Sequence, residues 1–151
     1  MASGVGTGIG VAAQVQVPVA DWAAAVRAAA QLLSGAGVVS ESYVERCVEI
    51  VREHGPYIVV APGIALAHAR PEDGAFALGL SAVSLAAPVR FGHSTNDPVD
   101  VVLAFSSPDR DAHVGLVAAL ARALTAGLAD RLRAAPTDAA ATELLREVTD
   151  Q

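Results

Sequence analysis

Near the middle of the chain, the run Val99-Asp100-Val101-Val102-Leu103-Ala104-Phe105 is apolar at every place but one. It lacks the polar alternation of a strand with one wet face, so it reads as a strand covered on both sides. Cover of that kind comes from helices, and helical patterns stand on either side of the run. Asp21 can cap a helix to about Ser34, with Trp22, Val26, Ala29, Ala30 and Leu33 on one face and Gly35 and Gly37 ending it. A second helix starts near Ser40 or Ser42. Ser42 and Glu45 have capping-box spacing, Val44, Cys47, Val48 and Val51 form the stripe, and Gly55-Pro56 stops it.

Strand-like segments follow at Tyr57–Ala61, at Ile64–Ala69 after a Pro62-Gly63 turn, and at Phe76–Leu85. Beyond the central run, Asp109 or Asp111 can cap a helix whose face carries Val114, Val117, Leu120, Ala121, Leu124 and Leu128. Thr137, after Pro136, caps a last helix built on Ala141, Leu144, Leu145 and Val148. The order predicts a single layered α/β domain over residues 19–149. Residues 1–18 read as a flexible leader with a short strand at its end. Their glycines alternate, follow no strand and fit neither a dinucleotide fingerprint nor a P-loop.

Composition narrows the function. With 53% hydrophobic and 17% charged residues the chain packs a core, and a net charge of −6 leaves no basic stripe for nucleic acid or an anionic membrane surface. No run reaches the ~18 apolar residues of a membrane span, and the N-terminus lacks the pattern of a secretory signal. A cytoplasmic location is expected. The single cysteine, Cys47, permits no internal disulfide and lies on a helix stripe, where it reads as core. No cofactor is indicated. Nor is a metal site, since HExxH is absent. The serines lack the GxSxG context of a hydrolase.

The histidines carry the chemistry. His68 stands in the apolar segment Ile64-Ala65-Leu66-Ala67-His68-Ala69, with Arg70 two residues on. An imidazole can lose a proton, attack phosphorus and leave again near neutral pH. His113, in the first turn of a helix, shares a face with Val117 and Leu120 and should point inward, where a neutral ring can donate one N–H to an oxyanion. Arg70 is a further candidate donor to a phosphoryl group, and it can equally pair with Glu72 or Asp73. His54, at a helix C-terminus, reads as structural, and His93 as a solvated loop residue.

The stretch Ala61-Pro62-Gly63-Ile64-Ala65-Leu66-Ala67-His68-Ala69-Arg70-Pro71-Glu72-Asp73-Gly74 resembles the active-site signature of the mannitol/fructose-class (type 2) IIA proteins of the bacterial sugar phosphotransferase system. Its His-Ala-Arg-Pro-Glu-Asp-Gly continuation is similar to the ascorbate-type branch. Pro88-Val89-Arg90-Phe91-Gly92 and Asn96-Asp97-Pro98-Val99 extend the likeness. The resemblance implies a mixed, mostly parallel sheet flanked by helices on both faces. It also implies a phosphotransferase in which His68 accepts phosphate on Nε2 from phospho-HPr and passes it to a cysteine of a IIB component, with His113 helping to hold the group. The membrane IIC component would be an indirect partner, and the apolar content accommodates a homodimer. The alternative is a regulatory module of the same fold, whose phosphorylation state signals to a kinase, transporter or transcription factor. Where the family has proline before its histidine this chain has Ala67, which loosens the loop without removing a reacting group. A scaffold that binds without transferring is a third reading.

Overall fold

The expected central strand is the middle of a five-stranded sheet in a computed structural model that describes residues 9–150. The elements are β1 (Gly10–Val17), α1 (Trp22–Gly35), α2 (Glu41–His54), β2 (Val59–Ala61), β3 (Ile64–Ala67), a 3-10 turn (Pro71–Asp73), β4 (Gly79–Val89), β5 (Val99–Ser106), α3 (Arg110–Thr125), α4 (Leu128–Ala134) and α5 (Asp138–Thr149). The strand order is β1-β4-β5-β3-β2.

Alternation along β5 explains why it is apolar on both sides. Val102 and Ala104 pack with α1 and α2, whereas Val101, Leu103 and Phe105 pack with the helices α3, α4 and α5. At about 1.5–3 kcal/mol for each large apolar side chain taken out of water, both faces contribute strongly to stability. β3 repeats the pattern: Ala65 and Ala67 face α1 and α2, and Ile64 and Leu66 face the other way. The α/β layering with helices on both faces is as expected. The sheet is mixed, with β1–β4 and β3–β5 parallel and β4–β5 and β2–β3 antiparallel, so parallel pairs are half of the total and not the majority expected. The physical reason is connection length, because the Pro62-Gly63 turn and the loop 90–98 are too short for a parallel crossover.

Local differences from the sequence reading have equally local causes. The segment expected as a leader supplies β1, which pairs with β4 from Gly10 to Gln14, so the folded body begins before residue 19; residues 1–8 lie outside the described residues. The α2 cap is Ser40, whose Oγ accepts from the Tyr43 N–H; Glu45 of the proposed Ser42 box instead takes a bidentate bond from Arg27 of α1. β4 begins at Gly79, because residues 75–77 turn back onto the α1–α2 connection through the Phe76 N–H to Val38 carbonyl bond; Phe76 is 64% exposed. The long helix expected to reach Leu128 breaks at Gly127, which has φ +99°. Its buried face is Leu116, Ala119, Leu120 and Ala123, and Val114 is exposed. Both flanking caps, Asp21 on α1 and Thr137 on α5, are as expected.

Candidate functional site

The carboxyl ends of the parallel pair β3 and β5 present the candidate site, the end of an α/β sheet where open backbone and loops gather. β3 pairs with β5 in register up to Ala67 opposite Ala104. Period two then sends the next side chain, His68, to the same side as Ile64 and Leu66 and next to Phe105. The His68 ring stacks on Phe105 with centroids 4.8 Å apart and planes inclined by 17°. Ala67 is the last residue of β3 and fully buried, so the position where the family has proline is tied into the ladder and is not a loose loop.

His113 arrives from the other direction. β5 ends at Ser106, and Asp109 caps α3 by accepting from the Ala112 N–H at 2.9 Å, which places His113 in the first turn. Its ring lies edge-on to Phe105 at 5.1 Å and 6.1 Å from His68. The inward orientation expected for His113 holds, although the ring keeps partial exposure. Both histidines open on one depression of about 300 Å³, whose polar lining is completed by Arg46, His54, Tyr57 and Arg70.

The environment of His68 has a defined polarity. Nδ1 lies 3.4 Å from the Leu66 carbonyl oxygen; with Nδ1 as the donor, Nε2 carries the free lone pair. Burial is the main cause that lowers the His68 pKa below 6.5; the Leu66 bond opposes it and the neighbouring His113 adds to it. The ring is therefore neutral at pH 7. Arg70 is exposed on the rim, and among the described residues its guanidinium forms no ion pair with Glu72 or Asp73. Asp73 accepts instead from the Arg70 backbone N–H at 3.0 Å, which shapes the turn after the histidine. Gly74 closes that turn at φ +124°, where a Cβ would strike the Ser40 side chain.

Sequence reasoning missed Arg46 and Tyr57 and read His54 as purely structural. Arg46, Ile50 and His54 are four residues apart along α2, so one helix face brings all three to the depression. That spacing was the available signal. The Arg46 guanidinium is held by Glu53 at 2.8 Å, by Glu49 at 3.6 Å and by Asp73 at 3.9 Å. His93 is not part of the site, and Cys47 is buried in the α2 core with its thiol pushed up to about 12 by burial. Among the described residues no cluster of three or more histidine, cysteine or acidic side chains could hold a metal ion.

Residues 12–148 match the family model of the phosphoenolpyruvate-dependent sugar phosphotransferase system, EIIA 2. The chain belongs to this family. It is 35% identical over 134 residues to the ascorbate-specific PTS system EIIA component of Shigella flexneri, a match covering 87% of each chain. Among solved structures it is similar to a PTS IIA (PtxA) from Streptococcus mutans, with TM-score 0.79, 27% identity, and coverage of 93% of this chain and 90% of that one. It also shares the fold of IIAMTL in an Escherichia coli complex of enzyme IIAMTL and phosphorylated enzyme IIBMTL, with TM-score 0.73, 22% identity and coverage of 89% and 94%. The EIIA resemblance read from His68 and its flanking residues is thereby established, including its ascorbate-type leaning. No single described helix is long and apolar enough to cross a membrane.

Proposed function

We propose that this EIIA component is a cytoplasmic phosphoryl carrier that takes phosphate from phospho-HPr on His68 and hands it to a cysteine of a IIB component. The observation that carries the reading is the Nδ1 to Leu66 carbonyl contact: with Nδ1 donating, Nε2 is the unpaired nitrogen of a ring that burial keeps neutral beside His113. The Nε2 lone pair attacks phosphorus, the bond from phosphorus to the donor breaks, and the electron pair of that bond leaves with the donor. Positive charge then develops on the imidazole, and the Nδ1–H shares it with the Leu66 carbonyl. In the return step a IIB thiolate attacks the same phosphorus, the Nε2–P bond breaks, and His68 regains its lone pair.

The loose transition state spreads charge over three equatorial oxygens. His113 donates to one of them, and Arg70 on the rim supplies positive field; Arg46 also lines the depression, with its charge shared among Glu53, Glu49 and Asp73. Phe105 and the apolar end of β3 limit the approach of water to the labile P–N bond. The IIB partner is supported by the likeness to IIAMTL, which has been solved with phosphorylated IIBMTL. Ascorbate as the transported compound is supported by the name of the Shigella relative. IIC, which would bind the sugar, is reached only through IIB.

Incubation with enzyme I, HPr and phosphoenolpyruvate should place one acid-labile phosphoryl group on each chain. His68→Ala should accept none. Full labelling of that variant would remove His68 from the role and the proposal with it.

A further inference from the structure

β3 and β5 run hydrogen-bonded as far as Ala67 and Ala104, and immediately beyond them a tyrosine hydroxyl enters between the strands. Tyr43 comes from the first turn of α2 and is 1% exposed. Its oxygen accepts from the Ala69 N–H at 3.1 Å and donates to the Phe105 carbonyl at 2.8 Å, with the Ala69 carbonyl at 3.4 Å. One O–H thus stands where a direct strand-to-strand bond would otherwise form. The two residues it holds are the backbone neighbour of His68 and the residue on which His68 stacks. Burial raises the phenol pKa far above neutrality, so the group stays a donor.

We propose that Tyr43 is a positioning residue for the phosphoryl-accepting histidine. Its hydroxyl ends the β3–β5 ladder at Ala67, sets the gap between Ala69 and Phe105, and so fixes His68 against Phe105 with Nδ1 on the Leu66 carbonyl. Without the hydroxyl, the Ala69 N–H and the Phe105 carbonyl are left to find each other, and the backbone that carries His68, between Ala67 and Ala69, shifts relative to the Phe105 ring. The aromatic ring alone cannot do this, because the two bonds that set the spacing belong to the oxygen. The proposal rests on the carrier reading for its consequence in catalysis, and on geometry alone for its consequence in structure.

Tyr43→Phe keeps the ring and removes the oxygen. Acceptance from phospho-HPr should slow by roughly tenfold, as expected for a displaced reacting group, while labelling still reaches one per chain. Nitrogen-15 spectra of His68 should show a mixed ring tautomer where the parent protein has mainly Nδ1–H, and a titration midpoint moved toward 6.5. Val44→Ala, at the buried neighbour on α2, destabilises without touching the hydroxyl and should leave both readouts as in the parent. If Tyr43→Phe lowers stability only, with rate and tautomer unchanged, the proposal is wrong. The spectra need no phosphoryl donor, so they judge Tyr43 even if labelling of His68→Ala defeats the carrier reading. Should Tyr43→Phe not fold, amide exchange in the parent protein decides: the Ala69 N–H should be protected like a β3 amide, and exchange at an open-loop rate overturns the assignment.

Discussion

Two histidines stand at opposite ends of β5, and the backbone uses them in opposite ways. At the carboxyl end, His68 gives one nitrogen to the Leu66 carbonyl and keeps the other for the depression it shares with His113. At the amino end, His93 is consumed by its own loop: its Nδ1 accepts from the Thr95 N–H at 3.1 Å and the Asn96 N–H at 3.0 Å. The Asp97 carboxylate gathers the Phe91, Gly92 and His93 N–H groups beside it. Both rings are partly exposed, and exposure does not separate them. What separates them is whether the chain donates to the ring or accepts from it. An imidazole that receives two backbone N–H groups on one nitrogen is a loop cap. One that donates to a carbonyl beside a second histidine and two arginines is equipped to accept a group.

The largest effect that would sharpen this contrast belongs to His113. If His113 donates to the transferring oxygens as proposed, His113→Ala should slow phosphoryl transfer by about 10²-fold, with labelling still reaching one per chain. Rapid-quench measurement of the labelling rate checks it. An unchanged rate would make His113 a packing partner of Phe105 and nothing more.

His93→Ala should do the reverse. Its two backbone donors lose their acceptor on a partly wet loop, so the loss is about 1 kcal/mol of stability, comparable to a lost helix cap. The transfer rate should stay at the parent value, because the loop lies at the far end of β5. His93→Asn, which keeps an acceptor, should recover most of the stability in a urea titration. A tenfold loss of transfer in either variant would break the division between the two ends.

The distinction could be read from the sequence on one side only. Segments with local causes were legible: the Asp21 and Thr137 caps, the stripes of α1 and α5, and the doubly covered β5 all follow from neighbours a few residues away. His68 and His113 were each legible as candidates, one from its apolar segment and one from its inward helix face, and their joint role came with the EIIA resemblance; the fold brings the two rings to 6.1 Å. The phase of α3 was misread because its small residues favour no face, and Leu116 and Ala119 are buried through contact with α5 and the sheet. Tyr43 was invisible for a different reason: its partners are 26 and 62 residues away, and only the meeting of β3, β5 and α2 gives its hydroxyl a task. Arg46 belongs to the same class, a surface charge by pattern that becomes a site residue by placement.

The smallest effect concerns the proton on His68, and its sign can be worked out. Burial, aided by His113, places the folded pKa below 6.5, so the reactive neutral ring predominates at pH 7. Labelling rate should be flat above neutrality and fall only as pH drops through that depressed value. The same depression means that the unfolded chain takes up the proton first. Stability should therefore decline as pH falls below 6.5, and this decline should cease once the folded ring is itself protonated. Phe105→Leu thins the cover on one ring face and lets water closer, which should raise the midpoint by less than about one unit. Its falling limb then begins at higher pH than in the parent, while His93→Ala leaves the limb where it was. A parent midpoint above 6.5, whether read from the rate profile or from the His68 ring signals, would mean that charge stabilisation outweighs burial there, and the contrast between the two ends would have to rest on hydrogen bonding alone.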